Sequence, residues 1–358
     1  MRRHLGATIL AAAISLWAFA GHASVYDAEG PAKAKSSDAD LPKKAKPTVL
    51  GAPAIFFIND NRLTYAYLPR GRQNTIIGPI EKQIFAFSHF DAWAYGTNSF
   101  SVLLAKSAKN DPAGPCPFSA QGCAGETYIR GSLRSTFGFN EVFNTKTFTW
   151  GILRNVSFEV GVDADTTNAY IGASTRDLVA GVQFSFDLPY KGFVNVAPLY
   201  YQEWNHNSFL TPNFIGAGYT GIPDGNTRYR GTWALEANYY MDLGFLPENL
   251  RYFAISGRVG VYGPKGDGSY GPYTLPPTSK STTEIISEPI RLTFDVSKAI
   301  WGAQYSHIID YWVSYLVRLN RNGNDDSNRA NRTCFTASGT NNGSCSERSV
   351  YTGVTLKF

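Results

Sequence analysis

Residues 178–187 read Leu-Val-Ala-Gly-Val-Gln-Phe-Ser-Phe-Asp. Leu178, Ala180, Val182, Phe184 and Phe186 share one parity and interleave with Val179, Gly181, Gln183, Ser185 and Asp187. A period of two is the signature of a strand with two unlike faces. The same pattern recurs upstream, where Val156, Phe158, Val160 and Val162 alternate with Ser157, Glu159, Gly161 and Asp163. Downstream, Phe253, Ile255, Val259 and Val261 alternate with Ser256, Arg258, Gly260 and Tyr262.

Extending this reading from residue 55 to the C-terminus predicts twelve strands: 55–68, 83–93, 95–106, 125–137, 154–166, 176–188, 192–204, 230–241, 250–262, 283–295, 304–319 and 346–358. The break near 93–95 is the weakest. An even count of long alternating strands predicts an all-β, transmembrane antiparallel β-barrel. With the N-terminus in the periplasm, the outward connections are 69–82, 107–124, 167–175, 205–229, 263–282 and 320–345. Most are long, whereas links such as 189–191 and 242–249 on the other side are short, the asymmetry of outer-membrane barrels. A soluble sandwich also alternates, but its strands are shorter and its inner faces bury against a second sheet. Tyr65, Tyr67, Trp93, Tyr95, Tyr200, Tyr201, Trp204, Tyr239, Tyr240, Tyr305 and Tyr311 recur near strand ends, where rings at the headgroup level are expected.

The composition permits this architecture. Of 358 residues, 43% are hydrophobic and 17% charged, with 33 Lys+Arg against 28 Asp+Glu. The excess of +5 is too small for the concentrated basic face of a generic nucleic-acid binder. No apolar run outside the N-terminus reaches the length of a helical membrane span. Residues 1–23 read as a signal peptide, with Arg2 and Arg3 before an apolar stretch and a small-x-small ending at Ala23. Its removal takes two Arg and no acid, leaving 31 basic residues against 28 acidic ones, a net +3. Residues 24–54 read as a flexible periplasmic leader rich in Lys, Ala, Ser, Asp and Pro. The barrel then occupies 55–358.

Export makes disulfides the expected state of the four cysteines. Cys116 with Cys123 and Cys334 with Cys345 is the simplest of three connectivities, and both pairs fall in outward loops. Zinc ligation fits the spacings poorly. No cofactor is expected, and no hydrolase, metal or nucleotide motif forms a convincing unit.

The last residues, Tyr351 to Phe358, place Val350, Val354, Leu356 and Phe358 on one parity. This ending resembles the C-terminal signal through which outer-membrane barrels meet their assembly machinery. If the apolar parity faces lipid, the other faces the lumen. That assigns Tyr128, Arg130, Arg134, Glu159, Asp163, Gln183, Glu236, Asn238, Tyr240, Arg258, Arg291, Asp295, Arg318 and Lys357 to the inside. Phe85, Phe87, His89 and Asp91 share a face of the second strand. If His89 and Asp91 point inward, two rings line the lumen beside them, suited to stacking on a planar base while polar groups hold its edge or a sugar.

Residues 59–65 (Asn-Asp-Asn-Arg-Leu-Thr-Tyr), 87–91 (Phe-Ser-His-Phe-Asp), 95–98 (Tyr-Gly-Thr-Asn), 192–196 (Gly-Phe-Val-Asn-Val) and 203–207 (Glu-Trp-Asn-His-Asn) occur in that order. Together with Phe358 they resemble the nucleoside-specific channel-forming outer-membrane proteins, the Tsx-like group with its vibrio phage-receptor relatives. The resemblance implies a monomeric twelve-stranded barrel with a narrow nucleoside-binding lumen. The expectation is therefore passive diffusion of nucleosides or similar planar polar solutes across a bacterial outer membrane. The alternatives are a general small-solute porin and an adhesin- or receptor-type structural barrel; in a further alternative, inward charges pair and plug the lumen. A hydrolase would need a Ser–His–Asp geometry that adjacency of Ser88 and His89 does not supply.

Overall fold

The computed structural model describes residues 56–72, 78–107, 125–168, 172–206, 226–265, 282–329, 334–336 and 338–358. The expected signal peptide, the leader and the Cys116–Cys123 pair lie outside them.

Among the described residues, thirteen strands follow one another: β1 (Phe56–Gly71), β2 (Ile80–Trp93), β3 (Gly96–Ser107), β4 (Thr127–Gly138), β5 (Leu153–Thr167), β6 (Ser174–Leu188) and β7 (Gly192–His206). They continue as β8 (Asn226–Arg228), β9 (Thr232–Asp242), β10 (Phe253–Tyr262), β11 (Glu284–Asp295), β12 (Ile309–Leu319) and β13 (Glu347–Lys357). Each pairs antiparallel with its neighbour, and β1 pairs β13, with Arg62 opposite Lys357. The short β8 pairs the end of β7, and β9 pairs the rest of it, so the two share one position on the wall. The result is a closed twelve-stranded antiparallel β-barrel. Closure leaves no strand edge for lipid or another chain to meet.

The opening stretch sits as its alternation requires. Val179 is fully buried and Ser185 nearly so, while Leu178, Ala180, Val182, Phe184 and Phe186 lie on the outer parity. Around the ring, Leu63, Tyr65, Phe100, Leu133, Val162, Trp233, Ile290, Tyr311 and Val354 are exposed on the outside. So large an apolar belt is untenable in water. Burying each such side chain in lipid contributes about 1.5–3 kcal/mol. The chain is an outer-membrane β-barrel.

One end carries the start of β1 and Phe358, with connections 94–95, 139–152, 189–191, 243–252 and 296–308. At the opposite end the chain passes from β1 to β2, β3 to β4, β5 to β6, β7 to β9, β10 to β11 and β12 to β13. The turns of the terminal end expose Phe143, Trp150, Ile152, Phe245 and Trp301, an apolar and aromatic rim below the belt. The expected strand 304–319 starts later, because Ala303–Tyr305 forms a 3-10 turn and β12 begins at Ile309. Tyr201 and Tyr240, expected among the headgroup-level rings, are buried inside instead. Each follows another Tyr (Tyr200 and Tyr239), and consecutive residues of a strand must face opposite ways. On the far-end loop, Cys334 and Cys345 form the expected disulfide, with Cα atoms 5.3 Å apart.

Candidate functional site: the lumen

The inner wall supplies a charged band from facing parities of β4, β5, β6 and β9. Arg134 reaches from β4 to Asp163 on β5 at 3.0 Å and to Glu236 on β9 at 2.9 Å. β5, β6 and β7 lie between β4 and β9, so this contact is a chord across the lumen. Gly161 makes it feasible: a Cβ there would meet Arg134 Cδ at 2.4 Å. Arg130 pairs with Asp163 and Asp165, both at 3.2 Å. Tyr128 donates to Asp165 at 3.0 Å, and Gln183 to Glu159 at 2.8 Å.

A second cluster lies on β10 to β13. Arg258 pairs with Glu288, and Arg291 pairs with the same carboxylate at 3.1 Å. Tyr351 donates to Glu288 at 2.5 Å, and the Arg291 guanidinium lies 4.1 Å from the centre of the Trp312 ring. Arg318 approaches Glu347 at 3.9 Å. Above it, Ala66, Leu68, Ile84, Ala86, Leu103 and Leu316 form an apolar core inside the barrel with Trp312 and Tyr351. In these clusters Arg130, Arg134, Arg258, Arg291 and Arg318 each meet a carboxylate, as the low dielectric demands.

At the terminal end, Asp295, the last residue of β11, caps the helix Val296–Trp301 by accepting from Lys298 N at 2.8 Å. It also accepts from Ser306 and from the backbone N–H of His307. His307 has φ of 60° and lies 3.0 Å from Asp310 through Nδ1 and 3.3 Å from the Tyr240 hydroxyl through Nε2. Burial alone lowers the His307 pKa. Asp310, Asp295 and Asp242 outweigh it and hold the imidazole above its ordinary value. At the opposite end, Lys265 is buried against Glu203 at 2.5 Å and Glu284 at 3.4 Å. Burial lowers its pKa, and those two carboxylates more than reverse the effect.

Of the residues proposed from sequence, Tyr128, Arg130, Glu159, Asp163, Glu236, Tyr240, Arg258, Arg291, Asp295 and Arg318 lie on the inner parity, joined in the clusters above. Phe85, Phe87, His89 and Asp91 do not. Phe85 is exposed on the outer wall, 5.2 Å from the Tyr65 ring, and pairs across the strand with Tyr65 and Leu104. Directly opposed residues share a face. Phe87, His89 and Asp91 therefore lie outside as well. There His89 bonds Asn61 at 2.9 Å and Asp91 at 3.2 Å, and Asp91 accepts from Asn98 at 2.8 Å. The expectation inverted because β2 is apolar on both faces at 84–87. Ile84 and Ala86 fill the internal core, so period two carried no sign there.

Several lumen residues escaped the sequence reading. Phe90 is the inward aromatic of β2. Glu288 was lost because a bulge between Ser287 and Ile290 puts Glu288 and Arg291 on the same side although three apart. Asp60, with Arg62 at 2.9 Å and Lys357 at 2.6 Å, is an inward ion cluster that alternation in β1 would have supported.

Between these groups lies a cavity of about 120 Å³, lined by Arg62, Ser88, Phe90, Ser101, Glu236 and Tyr262 among others. No protein-family model and no curated protein matches the chain. Among solved structures it is similar to the translocator domain of the autotransporter NalP from Neisseria meningitidis, with 11% identity, 83% of this chain and 88% of that one covered, and a TM-score of 0.37. LpxR from Salmonella typhimurium aligns at 10% identity over 83% and 99%, TM-score 0.33. OccK11 (OpdR) from Pseudomonas aeruginosa aligns at 8% over 84% and 95%, TM-score 0.31. The strand count and closure rest on the pairing described above. The expected kinship with nucleoside channels stands only as far as a twelve-stranded outer-membrane barrel.

Proposed function

We propose that the protein is a narrow outer-membrane pore for small polar solutes, with its long loops outside and its termini in the periplasm. The observation that carries this reading is the lumen itself, where Arg134, Glu236 and Arg258 line a cavity and are held in ion pairs with one another or with Asp163 and Glu288 behind it. Alternating charges solvate a passing solute without holding one sign of ion, so passage is driven by the gradient and release stays fast. The nucleoside reading drew on Phe85, Phe87, His89 and Asp91. With those four on the outer wall, a small-solute porin is the better account.

Planar-bilayer conductance and liposome swelling with the purified protein test the proposal. Small stepwise currents and size-limited swelling are expected. Absence of both at protein densities that give bilayer incorporation refutes it. A receptor-type structural barrel is the second reading, and its own observation is the far-end loop pinned by Cys334–Cys345. It gains if the barrel inserts and conducts nothing.

A further inference from the structure

Three serines stand side by side on the inner wall. Ser88 on β2 is paired with Ser101 on β3, which is paired with Ser132 on β4. Arg62 flanks the row on β1 and Asp163 on β5. Directly paired side chains stand about 5 Å apart. The three serines line the cavity in a row, with Ser99 one step along β3 and Phe90 one step along β2. Glu236, Asn238, Arg258 and Tyr262 form the facing side. The Ser88 hydroxyl is buried, has no protein hydrogen-bond partner, and meets a ligand by rotating about its Cα–Cβ bond.

The charges around this space are already neutralised in place. Arg62 holds Asp60, Arg134 holds Glu236, Arg258 holds Glu288, and Tyr262 donates to Glu236 at 3.0 Å. A charged ligand would have to break one of these pairs or remain uncompensated in a low-dielectric space. A neutral ligand with several hydroxyls uses the remaining lone pairs and N–H groups without disturbing them, because a hydroxyl both donates and accepts. The Phe90 ring adds an apolar face for the C–H side of such a ligand. At about 120 Å³ the cavity is far below the roughly 300–1,000 Å³ of drug-sized sites. That size favours a single small ring over a base joined to a sugar.

We propose that this cavity is a binding subsite for a single neutral polyhydroxylated ring, of the monosaccharide class. The inference rests on the pore reading, and it identifies the solute. Contact is made by the serine row, by Phe90 and by the Glu236–Tyr262 pair.

The test uses the full-length mature protein in bilayers, with D-ribose, D-glucose, glycine and uridine as probes. Parallel calorimetric titration is run in a non-glycosidic detergent. Reversible current block and binding heat are expected with the two sugars. Both should weaken at least tenfold in Phe90→Ala and in Ser101→Val, which fills the cavity while removing a hydroxyl. Heat-modified gel mobility shows whether each variant is folded, and Ser101→Ala replaces Ser101→Val if the latter is not. Normal open-pore current with no sugar block and no heat overturns the subsite and leaves the pore reading intact. Block by uridine or glycine as strong as by the sugars overturns the ligand class. If no current appears at all the pore reading fails, and the titration alone decides the subsite, with no heat from the sugars overturning it.

Discussion

Replacing Arg134 with Met keeps the aliphatic stem over Gly161 and removes only the guanidinium. Three carboxylates then lose a partner: Asp163, Glu236 and Glu159, the last 3.9 Å away. They are not affected equally. Asp163 keeps Arg130 at 3.2 Å, whereas Glu236 keeps only the Tyr262 hydroxyl and Glu159 only the Gln183 amide. Stranding a buried charge by removing its partner costs about 3–5 kcal/mol. The Glu236 side chain is 20% exposed, so water offsets part of its loss. The lower end, about 3 kcal/mol, is the expected destabilisation, or roughly two powers of ten in the unfolding constant. Urea unfolding in lipid vesicles, followed by tryptophan fluorescence, measures it. The double variant Arg134→Met/Glu236→Gln removes one stranded charge and should recover about half of the loss, a coupling that a double-mutant cycle isolates. The single variant should also conduct better, because the chord between β4 and β9 is gone. Stability within about 0.5 kcal/mol of the parent, the spread of ordinary surface changes, would show that the chord carries no load.

Gly353 faces Trp312 across β12 and β13, and a Cβ there would meet the indole at 2.4 Å. Gly353→Val should cost about 1–3 kcal/mol through overpacking and alter near-ultraviolet circular dichroism, while a silent substitution would mean the indole has room to move. His307 has a raised folded-state pKa, so its contribution to stability is complete below the ordinary histidine value, near ~6.5, and is lost as pH rises through the raised one. Unfolding midpoints measured from pH 5 to 9 should fall on the alkaline side in the parent and flatten there in His307→Gln. Reducing Cys334–Cys345, 11 residues apart in sequence, should release about 2–3 kcal/mol of loop-closure constraint. Proteolysis of 320–346 should rise while heat-modified mobility is unchanged; loss of the folded gel band would instead make the disulfide a determinant of the barrel.

Strand number, parity and the asymmetry of the connections were readable because lipid outside and charge inside impose period two on β5, β6 and β10. Reading failed where the inner face is itself apolar. On β2, Ile84 and Ala86 pack inside against the Trp312 and Tyr351 cluster, so the strand has no polar side at its centre. The polar residues nearer its end, His89 and Asp91, sit on the outer wall. They are tolerated there because Asn61, Asn98 and Ser135 on three neighbouring strands complete their hydrogen-bond chain. No local pattern in β2 reports that compensation, since its partners lie on β1, β3 and β4. Bulges are the other source of error: one extra residue at Pro289 moved Glu288 to the side of Arg291.

The arrangement of charge within the barrel bears on whether it is a plug or a pore. Most inner pairs link a strand to its neighbour, as Arg130 does with Asp163 and Asp165. Such pairs line a wall and leave the axis to water. Arg134–Glu236 spans three intervening strands and narrows the axis where the cavity begins. A pair of this kind is held by mutual attraction; if it opens, Arg134 keeps Asp163 at 3.0 Å while Glu236 keeps the Tyr262 hydroxyl and meets the water of the lumen. Opening therefore costs less than removing Arg134, because Asp163 and Glu159 keep their cation and only Glu236 gives it up. That difference separates the two readings. In a pore the chord opens as solute passes and conductance depends on its two residues. In a plug the chord stays closed, and removing it changes stability alone.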